Sequence, residues 1–313
     1  MSIAAIVIGR NEGARLIACL DALEGMTRLV YVDSGSTDGS IAAAQARGAQ
    51  VVSLDMSLPF TAARARNAGL AALPEGTKLV QLLDGDCVVQ PDWLAQAQDF
   101  LASHPDVAVV CGRRREMYPE ASVYNGLIDG EWDTPIGEAK SCGGDALMRV
   151  DAVQPVGGYR EDLIAGEEPE LCVRLRQAGW RIWRLDAEMT AHDAQIMRLG
   201  QWWRRSKRAG HAFAEGAALH GAAPERHWVS ETRRALIWGL ALPLLIAVLA
   251  LVAGPLGVLA GLIYPLQVMR LARRGGLAWA FFSVLGKFAE ARGVLEYYWR
   301  RLTGGKKRLI EYK

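Results

Sequence analysis

A chain of 313 residues, 51% of them hydrophobic, has the size and apolar content for a sizeable core, which excludes an intrinsically disordered chain. Five cysteines, Cys19, Cys87, Cys111, Cys142 and Cys172, keep no C-x-x-C spacing, so neither a disulfide framework nor a zinc knuckle is expected. The net charge of +2 hides an asymmetry: residues 270–313 carry eleven Lys/Arg against three Asp/Glu, or +8, leaving −6 for residues 1–269. That basic end, next to an apolar run, suits anionic lipid headgroups; no nucleic-acid-binding motif is present.

The chain opens on a strand pattern, Ile3 to Ile8, with neither a basic leader nor a small-residue cleavage site, so the first part is expected to stay in the cytosol. Glu12 to Leu23 then reads as a helix, Leu29 to Val32 as a strand, Ser40 to Arg47 as a helix and Val51 to Leu54 as a strand. A helix over Thr61 to Ala72 leads to the strand Leu79 to Leu83. A helix opened by Pro91-Asp92 and a strand at Val107 to Val110 follow. This alternation predicts an α/β fold with a mostly parallel central sheet and helices on both faces. Ligands of such sheets bind at the carboxyl ends of the strands, where Asn11 and Glu12, Asp33 to Asp38, and Asp84 to Asp86 fall.

From Gly112 to Pro155 the periodicity weakens and glycines accumulate, as in irregular loops over a site; this is the expected acceptor side. A helix over Pro169 to Ala178 and a strand from Arg181 to Leu185 come next, then a polar stretch from His192 to His211. From Ala235 to Met269 no residue is charged, which as one helix would be about 50 Å long against a hydrocarbon core of roughly 30 Å. A hairpin broken at Gly254-Pro255 resolves the mismatch, with Arg233-Arg234 and Arg270, Arg273 and Arg274 marking both ends as cytoplasmic; because the second arm, Leu256 to Met269, is short, it is expected either as two passes or as a re-entrant or tilted arrangement. A buried core hairpin is the alternative. Leu277 to Trp299 mixes aromatics with Lys287, Arg292 and Arg300, as an interfacial helix does. The expected division is a domain over 1–230 and a membrane-associated helical region with a basic tail over 231–313.

Several groups carry chemistry. Asp84-Gly85-Asp86 brings two carboxylates to a strand end, a donor pair for Mg2+ or Mn2+ when a diphosphate supplies further oxygens; a solvated turn is the plain alternative. The loop Asp33 to Ser40, with Ser36, can present amides and an acid to a nucleotide, or merely cap a helix. Arg66, near Arg64 and Asn67 on one helix, could meet a phosphate or could be solvated charge. Glu167-Glu168-Pro169-Glu170 complements a helix dipole, yet one of these carboxylates could deprotonate an acceptor hydroxyl. His192 could complete the metal shell or be structural. Arg204, within Gln201-Trp202-Trp203-Arg204-Arg205, suits a diphosphate clamp or a membrane-surface anchor.

Taken in order, these motifs resemble family 2 of the inverting glycosyltransferases, whose nucleotide-binding fold is called GT-A. The resemblance covers about residues 1–210. It rests on Ile8-Gly9-Arg10-Asn11-Glu12, on Val32 to Ser40 and on Ala65 to Gly69, then on Asp84 to Asp86, the Gly143-Gly144-Asp145 loop and Glu170 to Leu175. It implies that Asp33 binds the nucleobase, that Asp84 lies near the ribose or metal, that Asp86 ligates the metal and that Glu168 is the general base. Glu167-Glu168 replaces the family's commoner Glu-Asp pair, so either of the two could be the base. Asn11, Glu12, Ser36, Arg66, Gly144, Asp145 and Arg204 complete the expected donor site, with Asp86, Asp84 and His192 as metal ligands.

The resemblance implies a nucleotide-sugar donor, expected to be a UDP-sugar, and a polyprenyl-linked acceptor in polysaccharide or glycoconjugate biosynthesis. The expected location is the inner membrane, with the catalytic domain facing the cytoplasm and membrane lipids as partners. A polyprenyl-phosphate glycosyltransferase is the close variant. A non-catalytic membrane scaffold and a phosphohydrolase using Asp84 are the rivals of another class.

Overall fold

The computed structural model describes residues 2–304; Lys306, Lys307, Arg308 and Lys313 of the basic tail lie outside the described residues. The chain forms two compact units, one ending at Gln195 and one beginning at Ile196. That division falls ahead of the expected 230/231 boundary because the polar helix Leu199–His220 packs with the helices that follow it.

The first unit is built on nine strands: β1 (Ile3–Gly9), β2 (Leu29–Asp33), β3 (Gln50–Ser53), β4 (Leu79–Asp84), β5 (Cys87–Val89), β6 (Val107–Glu116), β7 (Gly137–Ala139), β8 (Ala146–Arg149) and β9 (Arg181–His192). Its helices are α1 (Ala14–Asp21), α2 (Ser40–Ala46), α3 (Ala62–Ala71), α4 (Trp93–Ser103), α5 (Val123–Glu131), α6 (Val150–Val153) and α7 (Glu167–Gln177). The strands run in the order β3-β2-β1-β4-β8-β6-β9-β5, with β7 on β9. β1 to β4 pair parallel and β6 pairs parallel with β9, while β8, β5 and β7 enter antiparallel. The sheet is thus mixed, with most strands pointing one way.

Near-continuous apolar runs in β1, β2 and β4 are buried on both faces, as parallel strands under two helical layers require. Trp93, Tyr31, Leu82 and Leu147 are among the largest fully buried side chains. The expected loop region 112–155 contains more regular structure than its periodicity suggests: α5, β7, β8 and α6 all lie there. β8 is only four residues long but wholly buried between β4 and β6, where tertiary pairing outweighs the weak local pattern. β9 runs on past Leu185 to His192, through Asp186 and Glu188, whose polarity conceals the strand in the sequence.

The second unit is helical: α8 (Leu199–His220), α9 (Val229–Leu236), α10 (Leu242–Ala253), α11 (Pro255–Val258) and α12 (Ile263–Thr303). A π-helical turn, Ile237–Ala241, joins α9 to α10. The expected break is present, since Gly254 takes φ 59° and the chain turns back, with Tyr264 Oη donating to the Trp238 carbonyl at 2.6 Å. Val229–Ala253 and Pro255–Thr303 are each long and apolar enough to cross a membrane. Only 6% of each apolar window is buried, and Leu251 and Val252 are 86% and 81% exposed, which does not match a buried core hairpin. α12 kinks at Gly275-Gly276, where the apolar arm gives way to the aromatic and basic segment. One face of that segment, with Ala280, Val284, Ala289 and Val294, is buried. The remainder leaves Phe281 and Trp299 half or more exposed.

Candidate active site

Two loops at the carboxyl ends of β1 and β2 lock together first. Asn11 takes φ 55°, its amide donates to Ser36 Oγ at 2.9 Å and its Oδ1 accepts from the Thr37 amide at 2.7 Å. Asp33 is buried, accepting from Tyr31 Oη at 3.1 Å and from the Gly35 and Ser36 amides at 2.9 and 3.0 Å. Its carboxylate therefore shapes its own loop, a turn in which an aspartate caps the amides that follow it. Glu12 pairs with Arg15 at 2.6 Å beside the start of α1.

The acids of Asp84-Gly85-Asp86 part company. Asp84 ends β4 between two guanidinium groups: Oδ1 is 2.8 Å from Arg66 Nη2 and Oδ2 is 3.1 Å from Arg114 Nη2. Burial alone would raise this carboxyl, but Arg66 and Arg114 hold it well below the usual carboxylate range. Asp86, two residues on, is buried beside β5, and its Oδ2 is 3.2 Å from His192 Nε2 at the end of β9. The pairing of Cys87 with His192 in the β5–β9 ladder fixes that approach. Asp86, Cys87 and His192 offer ligand atoms within 4.8 Å of one another.

This group fits a divalent ion. Burial, then the positive charge of Arg114, lowers the His192 imidazolium pKa to about 3, so the ring is neutral and a lone pair is on offer. Nδ1 is buried without a hydrogen-bond partner, and Nε2 faces the Asp86 carboxylate. Two donors each about 2.1 Å from one ion at a right angle lie roughly 3 Å apart, close to the Asp86–His192 separation. Asp84 falls in a second such group, with Cys87 and Asp145, and is already paired with Arg66 and Arg114, whereas Asp86 and His192 face each other.

Arg66, one of the expected donor-site residues, is almost fully buried, which does not match solvated charge, and it ties acids together. Nη1 is 2.8 Å from Glu167 Oε1 and 3.2 Å from Glu168 Oε1, opposite the Asp84 contact, and the group stacks 5.6 Å over Tyr159. A buried guanidinium needs carboxylates more than a solvent-facing phosphate does. Glu167 and Glu168 open α7, whose N-cap Gly166 is left-handed at φ 83°. Burial and the neighbouring Glu167 raise the Glu168 carboxyl to about 7, against the pull of Arg66.

Gly144 fits into the middle of this cluster. A Cβ there would stand 2.7 Å from Arg66 Nη2, 3.0 Å from Asp84 Oδ2 and 3.1 Å from Glu168 Oε1, so a side chain at 144 would push the ends of these three groups aside. Asp145 is fully buried and supports the site from below: Oδ1 accepts from the Asp84 amide at 3.1 Å, and Oδ2 accepts from Thr190 Oγ1 at 2.8 Å and pairs with Arg114 at 3.2 Å. Arg204 belongs to the second unit, on α8, and is exposed.

Sequence reasoning missed Arg114, which touches Asp84, Asp145 and Cys87 and stacks 5.0 Å over Trp132. Trp132 in turn meets the His192 ring edge-on at 4.8 Å. The available signal was strand alternation through Arg113-Arg114-Arg115, which gives the middle arginine a face of its own.

Residues 4–136 match the family described as Glycosyl transferase family 2. The chain is 27% identical over 210 residues to succinoglycan biosynthesis protein ExoA of Rhizobium meliloti, covering 62% of this chain and 63% of that protein. It is 28% identical over 224 residues to the pre-mycofactocin glycosyltransferase of Mycobacterium tuberculosis, covering 67% of this chain and 46% of the relative. It therefore spans less than two thirds of the length of both relatives. Among solved structures, mannosyltransferase PcManGT of Pyrobaculum calidifontis, in complex with GDP-Man and Mn2+, superposes with a TM-score of 0.69 at 22% identity, over 96% of this chain and 87% of that one. The acids at the strand ends lie in the segment 4–136 that is similar to Glycosyl transferase family 2, and the mixed sheet has the fold of the mannosyltransferase it superposes on.

Proposed function

We propose that the chain is an inverting glycosyltransferase that moves a sugar from a nucleoside-diphosphate donor, a UDP-sugar on the resemblance, to a polyprenyl-linked acceptor at the membrane. The observation that carries this reading is the convergence on Gly144 of Asp84, from the end of β4, and Glu168, from the start of α7, clamped by Arg66. A strand-end acid near a pair of residues fit to hold a divalent ion, Asp86 and His192, and a helix-borne carboxyl raised to about 7 suit a direct displacement.

Glu168 takes the proton of the acceptor hydroxyl, whose oxygen attacks the anomeric carbon on the face opposite the diphosphate. The bond to the diphosphate breaks as the glycosidic bond forms, so the configuration inverts and no covalent enzyme intermediate arises. Arg66 and Glu167 position Glu168, and Arg114 and Asp145 hold Asp84 in place. Asp86 and His192 would hold Mg2+ or Mn2+, which when bound supplies positive charge for the departing diphosphate.

The exposed apolar hairpin supports an acceptor held in the bilayer and a location at the inner membrane, with the first unit in the cytoplasm. The likeness to ExoA supports a place in polysaccharide biosynthesis, and GDP-Man with Mn2+ in PcManGT supports a nucleotide-sugar donor and a metal. Detergent-solubilised protein, given a labelled donor, Mn2+ and a membrane lipid extract, should move label into organic-soluble product with inverted anomeric configuration by NMR. Retained configuration, or label confined to water, would contradict the proposal.

A further inference from the structure

Alternation along β6 sends Arg114 into the carboxylate cluster and Arg113 and Arg115 the other way. There they line a cavity of about 570 Å3 with Arg184, Asp133, Asp186 and Glu188, a volume within the usual range for small-molecule sites. Arg113 and Arg184 are 6% and 3% exposed, although arginine is rarely buried unless paired. Arg113 gives Nη2 to Asp129 at 3.0 Å and Nη1 to the Arg114 carbonyl at 2.6 Å, so of its nitrogens it is Nε that turns to Asp133. Arg184 spends Nη1 on the Leu185 carbonyl at 2.8 Å and leaves Nε buried without a hydrogen-bond partner.

Both guanidinium groups reach toward one oxygen, Asp133 Oδ1, each at 3.5 Å, beyond good hydrogen-bond length. Asp133 is 64% exposed on its side chain, so this carboxylate is a loose, solvated plug between two buried cations. Its oxygen marks where a better-seated acceptor would go.

We propose that this cavity binds an oxyanion, the carboxylate or phosphate of a small polar ligand, with Arg184 and Arg113 as its donors and Asp133 as the group it displaces. Asp186 and Glu188 face the same space and can accept from the hydroxyls of a sugar-like body. The site is separate from the Arg66–Glu168 cluster and meets it through adjacent residues, since Trp132, next to Asp133, packs on Arg114 and His192. Movement of Asp133 on binding would therefore be felt by Trp132.

Calorimetric titration of the full-length, detergent-solubilised protein with inorganic phosphate and with D-glucuronate, under chelator and without donor, tests this apart from any transfer activity. D-glucose serves as the uncharged control. At least one anion should bind below ~10 mM while glucose does not; phosphate alone assigns a phosphate-bearing ligand and glucuronate alone a carboxylate-bearing one. Arg184→Gln should weaken that binding about 10–100-fold by removing a charge-assisted bond. Asp133→Asn, at an exposed position that leaves the fold intact, should strengthen it about two- to fivefold by removing the competing carboxylate. Absence of binding by either anion, unchanged affinity in Arg184→Gln, or unchanged or weaker affinity in Asp133→Asn would overturn the proposal.

Discussion

Oδ2 of Asp86 lies 3.2 Å from Nε2 of His192, bringing a loop acid after β4 against the last residue of β9. Both are buried, and the imidazole is held neutral, so the pair is a ready donor set for a cation. Asp86→Ala and His192→Ala should each weaken Mn2+ binding and transfer by at least the ~10–100-fold typical of losing a supporting metal contact. Mn2+ titration followed by electron paramagnetic resonance checks this; unchanged Mn2+ affinity in both variants would remove the metal assignment.

Glu168 is the other half of the account. Its carboxyl, raised to about 7 by burial and by Glu167, works as a base only when ionised. The sign follows: kcat/KM should climb with pH below about 7, tenfold per unit, and level off above it. Glu168→Gln should lower kcat about 10²–10⁴-fold with little change in the donor KM, and should abolish that limb of the profile. The companion variant Glu167→Gln should retain more activity and shift the limb to lower pH, because a neighbouring negative charge has gone.

Gly144→Ala tests the crowding around the cluster. The added methyl would press on Arg66, Asp84 and Glu168 together, so the variant should lose about 1–3 kcal/mol of stability and most of its activity. Thermal unfolding and initial rates measure both; a fully active Gly144→Ala protein would show that the loop is not held where the structure has it.

The hairpin gives a separate prediction. Leu251→Arg and Val252→Asp place charge on the most exposed apolar side chains of α10, costing roughly 2.5–3.5 kcal/mol each if the segment lies at the bilayer centre. Flotation with liposomes should show the doubly substituted protein leaving the membrane fraction, while unchanged flotation would place the hairpin elsewhere.

The sequence makes β1, β2 and β4 and the acids at their ends legible because buried parallel strands are unbroken apolar runs with polar residues just beyond. Gly254-Pro255 is equally legible, since no helix continues through it unbroken. What hides is set by tertiary partners. β8 is four residues in a glycine-rich stretch, and β9 carries its charges where β6 supplies cations, Arg115 meeting Glu188 at 2.7 Å. Arg66 reads as a phosphate contact or solvated charge because nothing local shows that Asp84, Glu167 and Glu168 fold around it. Arg114 reads as one third of a charge run until the pleat separates it from Arg113 and Arg115.

Release of nucleoside diphosphate from a panel of nucleotide sugars by the solubilised full-length protein, with Mn2+ or Mg2+ and with a chelated control, tests the proposed sugar transfer. Metal-dependent release from one donor is expected, stimulated by membrane lipid extract and absent in Glu168→Gln. Release from no donor under any of these conditions would contradict it and leave the chain a membrane-bound scaffold.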